Sequence, residues 1–191
     1  PSLVITFPDP LMEMKVRKAL NIPQGDITAG DAAKVTRLDI GNEWQPQIPP
    51  EVQVRDLAGI EHFISLRELH ANFNAIGDIS PLAGMARLRI LRLNDSPIKD
   101  LSPLAGLTGL GSLFLGGCGI EDISALAGLT GLDCLELNNN YIADLTALSG
   151  MQKLDILKLA DNPIKDYTPV EARYPQLREK DFELGQVFDV Q

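Results

Sequence analysis

Aromatic side chains are scarce, at 5% of 191 residues with a single Trp, so any interior must be built from aliphatic groups. Cysteine is scarcer still. Cys118 and Cys134 cannot make a disulfide scaffold, and stability has to come from burial. The two histidines, His62 and His70, have no second ligand at metal spacing, so neither a metal nor another cofactor is expected. Positive charge is also short: 17 basic against 26 acidic residues give a formal charge of −9. Binding to a phosphate backbone normally needs a basic surface, which disfavours nucleic acid. No apolar run approaches the ~20 residues of a membrane-spanning helix, so no membrane insertion is expected. Pro1 to Thr6 lacks the basic start and apolar stretch of a signal peptide, and an opening on Pro points to removal of residues upstream. Catalytic signatures are missing too. There is no Gly-x-Ser-x-Gly elbow or clustered acid–base pair, and Gly116-Gly-Cys-Gly119 matches no phosphate-binding loop, so no enzyme is expected.

What the chain does contain is repetition. Hydrophobic residues make up 45% of it, and most fall on a 22-residue step. Leu88, Leu91, Leu93, Ser96, Ile98, Asp100, Leu101 and Leu104 recur as Leu110, Leu113, Leu115, Cys118, Ile120, Asp122, Ile123 and Leu126. The next unit has Leu132, Leu135, Leu137, Asn140, Ile142, Asp144, Leu145 and Leu148. The same pattern starts earlier at Leu66 and again later at Leu154, and a glycine keeps the step at Gly84, Gly106, Gly128 and Gly150. Units that bury their apolar residues only against neighbours must stack. The alternation around Leu91-x-Leu93 predicts a short strand with one buried face. Asn74, Asn140 and Asn162, at the ninth place, can use their amides to satisfy turning backbone. Ser96 and Cys118 are smaller substitutes there, which predicts two weaker rungs. Asp78, Asp100, Asp122, Asp144 and Asp166 lack the glycine-rich context of a calcium array and read as turn caps.

The fold expected is therefore an α/β solenoid: a right-handed coil with a parallel sheet on its concave side and short 3-10 turns on its convex side. Residues 1–34 are read as a helical N-terminal cap, with Asp9-Pro10 opening one helix and Thr28 to Asp31 a second. Residues 35–170 form the repeats, a first expanded unit followed by five of 22 residues. Residues 171–191 are a C-terminal cap, where Tyr174 to Leu177 falls one residue out of phase, and a short tail. Trp44, in the expanded unit, reads equally as a contact anchor or as a cover for the end of the core.

The 22-residue unit with Asp-Ile-Ser-Pro-Leu and Gly-Leu, the helical cap, and Val35-Thr-x-Leu38 followed by Leu57-Ala-Gly-Ile60-Glu61 resemble the bacterial internalin-type leucine-rich-repeat proteins. The resemblance covers roughly residues 7 to 170. It implies a secreted or surface-exposed protein that binds a partner, often a host protein, through the concave sheet. Within these residues no immunoglobulin-like domain follows the repeats, and no wall-anchoring tail.

Alternation along each strand points places three, five and seven of every unit into the concave face. The candidate partner-binding residues are His70, Asn72, Ile90, Arg92, Asn94, Ser112, Phe114, Glu136, Asn138, Ile156 and Lys158. Ile90, Phe114 and Ile156 stand at positions the repeat would leave wet, flanked by Arg92 and His70, as at a contact site with an apolar centre. The alternative is that single exposed apolar residues are ordinary. Arg37, Arg92 and Lys158 against Asp39, Glu68 and Glu136 leave this face nearly neutral. Cys118 is expected buried, Cys134 exposed, and the two too far apart to bridge. The function expected is non-enzymatic recognition of a protein, with a glycan as a second possibility, by a monomer. The alternative function is an intracellular scaffold or phosphatase-regulatory-type subunit, since those proteins use similar repeats.

Overall fold

Each 22-residue step becomes one turn of a coil. The computed structural model describes residues 3–184, and the tail expected before Gln191 lies outside them. Six units contribute a three-residue strand each: β1 (Arg37–Asp39), β2 (Glu68–His70), β3 (Ile90–Arg92), β4 (Ser112–Phe114), β5 (Cys134–Glu136) and β6 (Ile156–Lys158). A seventh, β7 (Glu179–Lys180), extends the sheet beyond residue 170. All seven are parallel and ordered as in the chain. The register sets Leu38, Leu69, Leu91, Leu113, Leu135 and Leu157 side by side, all fully buried. A slip by one residue would turn this whole row into water, so the leucines themselves select the pairing.

The return side of each turn is a 3-10 segment: Ser80–Leu82, Ser102–Leu104, Ser124–Leu126 and Thr146–Leu148. The aspartate two residues ahead starts each one. Asp78, Asp100, Asp122 and Asp144 accept the N–H of Ser80, Ser102, Ser124 and Thr146 at 2.7–2.8 Å. Asp166 does the same for Thr168 at the head of a short helix, Thr168–Glu171. These carboxylates are turn caps, as their spacing suggested.

Between strand and return, the chain turns over a buried polar ladder. The Asn140 side chain accepts from Cys118 and Ile120 N–H and donates to the Leu115 and Leu137 carbonyls at 2.8–3.1 Å. Asn74 and Asn162 make equivalent bonds to neighbouring coils. Ser96 supplies one bond, from Oγ to the Asn74 carbonyl at 3.3 Å, and Cys118 a thiol contact to Leu93 O. The residue just before each rung has a left-handed backbone: Phe73, Asp95, Gly117, Asn139 and Asp161, with φ of 56–69°. Asp, Asn and Gly tolerate that conformation, and bulky Phe73 is the exception.

Both ends of the stack are closed by different means. The first helix, α1 (Pro10–Leu20), is capped by Asp9 and buries Met12 and Val16 beside β1. Lys15 Nζ donates to the Ile40 and Gly41 carbonyls and to Asn42 Oδ1 at 2.8–3.0 Å, so α1 fills hydrogen-bonding positions at the sheet's first edge. The Asp9 carboxylate accepts from Leu11 and Met12 N–H and also from Arg55 and Asp56 N–H, tying cap to coil. A second helix, α2 (Ala29–Ala32), carries a full capping box between Thr28 and Asp31. At the far end Phe182 stacks on Tyr167, with centroids 5.4 Å apart, and meets Tyr174 edge-on.

Candidate functional site on the concave sheet

Two rows of side chains project from the sheet opposite the buried leucines. One runs Arg37, Glu68, Ile90, Ser112, Cys134, Ile156, Glu179, and the other Asp39, His70, Arg92, Phe114, Glu136, Lys158. Neighbouring strands lie ~4.8 Å apart, so eight of the eleven candidate residues form one continuous strip. Asn72, Asn94 and Asn138 follow just past the strand ends. Two of these amides are already engaged: Asn72 Oδ1 accepts the Asn94 N–H at 2.9 Å, and Asn94 Oδ1 accepts the Gly116 N–H at 2.8 Å. They bond coil to coil as well as facing outward.

Two expectations are overturned. Phe114 is not left wet: it is only 7% exposed, because the Arg92 guanidinium lies 3.8 Å above its ring centroid. Alternation gives the direction of the ring correctly but says nothing of an arginine from the next strand folding over it. Cys134 is likewise buried, at 8% exposure, because neighbouring strands crowd its small side chain. Burial, reinforced by Glu136 and Asp133, pushes its thiol up to about 11. Ile90 and Ile156 are half-buried and retain apolar surface facing out. Trp44 is 71% exposed and does not cover the core, a task that falls to α1.

Charge on the strip is largely internally balanced. Arg37 pairs with Glu68 at 3.7 Å, His70 Nε2 lies 3.9 Å from the same carboxylate, and Lys158 bonds Glu179. Burial, with the Arg37 and Arg92 charges, holds the His70 imidazole below its usual value and disfavours its charged form. Burial raises the Glu136 carboxyl despite nearby Lys158 and Arg92. The hydrogen bond that Lys158 donates to the Glu179 carboxylate stabilises its charged form. Nothing here is a nucleophile poised beside a base. Among the described residues no group of three metal-ligating side chains comes together, and no helix is long and apolar enough to cross a membrane.

Sequence reasoning passed over Lys15, the second role of Asp9, and the row of left-handed residues. The last left a signal. Asp95, Gly117, Asn139 and Asp161, spaced 22 apart, are the residue types that accept positive φ.

A family model of Leucine Rich repeats (2 copies) matches residues 64–106. An internalin of Listeria monocytogenes (inlF) superposes over 96% of this chain with a TM-score of 0.71 and 29% identity, and the chain spans 58% of that protein's length. A second Listeria monocytogenes internalin (inlC2) gives 0.67 and 28% over 96% of this chain and 88% of its own. This chain has the leucine-rich-repeat fold and is similar to the internalins. A leucine-rich-repeat protein of Leptospira interrogans, 22% identical over 68% of this chain and 41% of its own, shares the fold with a TM-score of 0.58. No curated protein matches by sequence. Leucine-rich-repeat proteins generally mediate protein binding.

Proposed function

We propose that this internalin-like protein recognises a protein partner on the concave strip centred on Arg92 and Phe114, outside the cell or on its surface. One observation carries the reading: the strip holds apolar surface at Ile90 and Ile156 beside an arginine braced on an aromatic ring. Arginine and aromatic groups in a partly desolvated centre are what interface hot spots are made of. The repeats supply a rigid platform, so little ordering free energy is lost on docking. The likeness to two internalins supports the extracellular location.

The test is photocrosslinking on the producing cells or their targets. A benzophenone amino acid at Ile156 should yield a covalent adduct with a defined protein, whereas the same group at Thr130, exposed on the convex side, should not. Adducts from Thr130 alone, or an Ile156 adduct that persists at equal yield in an Arg92→Glu protein of unchanged melting temperature, would sink the assignment.

A further inference from the structure

Every charge on the strip except two has a partner. Arg37 and Glu68 form one ion pair, Lys158 and Glu179 another, and Asp39 accepts the Gly41 N–H. Arg92 and Glu136 have neither an ion pair nor a side-chain hydrogen bond among the described residues, although both are half-buried. They form no ion pair with each other: they stand on either side of Phe114, and the Arg92 guanidinium is laid on its ring. Two strand spacings, about 10 Å, separate their backbones. Lys158 and Arg92 act on Glu136 only at longer range, and a half-buried charge without a direct counter-charge keeps part of its desolvation cost unrecovered. Opposite charges held on either side of the Phe114 position form a small dipole across the centre of the face. Next to the dipole, Ser112 and Cys134 form a low floor between the flanking Ile90 and Ile156.

We propose that the concave strip takes a polypeptide segment bearing one acidic and one basic side chain on either side of an apolar one. The partner's carboxylate sits on Arg92, its ammonium or guanidinium on Glu136, and the apolar group between Ile90 and Ile156. This rests on the strip being the binding face and adds which chemistry it selects. The overall charge of −9 would by itself favour basic partners, so a required acid is the discriminating element. An extended chain advances ~3.3 Å per residue and alternates its faces, so an acid, an apolar residue and a base at every second position all face the strip, their ~13 Å span within reach of the Arg92 and Glu136 side chains.

The experiment titrates the ¹⁵N-labelled full chain with three synthetic hexapeptides. One has Glu and Lys four residues apart with Leu midway between them, one has Glu at both places, and one has Lys at both. The mixed peptide is expected to bind about three- to tenfold more tightly than either control, with shifts concentrated on the Arg92, Phe114 and Glu136 amides. Arg92→Gln should abolish its advantage over the Lys peptide, and Glu136→Gln its advantage over the Glu peptide, while each variant retains the wild-type amide spectrum elsewhere. Equal binding of all three peptides at those amides overturns the charge pairing and leaves the concave face as the binding surface. Failure of any peptide to move those amides also overturns it, and the crosslinking result at Ile156 decides the wider reading independently.

Discussion

Phe114 shows how far a single side chain can depart from what its position implies. Its place in the unit directs it out of the coil, but the Arg92 guanidinium stacks over the ring, and Phe114 ends with 7% of its surface exposed. Truncating it removes packing against both the sheet and the arginine. Phe114→Ala should lower unfolding free energy by about 1–3 kcal/mol, less than for a fully enclosed phenylalanine, as read from urea midpoints. The thiols make a second case. Burial raises both Cys118 and Cys134 to about 11. Since the thiolate is the reactive form, iodoacetamide at pH 8 should leave both unmodified in the native protein while labelling them fully in urea. Rapid native labelling of Cys134 would contradict its place in the sheet.

Within a coil, the unit of stability is the rung. Asn140 serves five backbone groups on two neighbouring turns, whereas Ser96 serves one at 3.3 Å. Removing a side chain that satisfies several buried groups leaves each at its full desolvation cost. Asn140→Ala should therefore cost about 2–4 kcal/mol and Ser96→Ala about 1 kcal/mol or less, compared by denaturant unfolding. A reversed order would refute the ladder account. The N-terminal helix is held in the same manner. Asp9 accepts from four N–H groups, two of its own helix and two of the expanded first unit. Burial opposes its ionisation, yet those four donors together hold its carboxyl below the usual value. Asp9→Ala should cost about 1–2 kcal/mol and raise amide exchange in α1 ahead of the repeats.

Across the whole coil, the repeated aspartates make stability depend on acid. Backbone and hydroxyl hydrogen bonds from Ser102 and Ser124 hold Asp100 and Asp122 below the ordinary 3.8. Hydroxyl and backbone bonds from Thr146 and Thr168 do so for Asp144 and Asp166. A carboxyl depressed by folding contributes fully above its unfolded value and loses that contribution as pH falls through its folded value. Burial raises Asp95 and Glu136, which act in the opposite sense but are outnumbered. The melting temperature should hold steady between about pH 5 and 8 and fall below about pH 4, with the turns loosening along the entire convex side. Substituting Asn at all four aspartates should flatten that decline.

The 22-residue period, the buried leucine rows, the asparagine rungs and the aspartate turns were all legible in the chain, because each arises from contacts between equivalent positions of adjacent units. A periodic pattern encodes its own neighbours. What it could not encode were contacts between unlike positions. Lys15 reaching across to the first sheet edge, Asp9 bonding to Arg55 and Asp56, and Arg92 covering Phe114 each depend on side-chain directions that no repeat constrains. For the same reason, only folding reveals which charges of the concave face find partners and which two are left waiting for one.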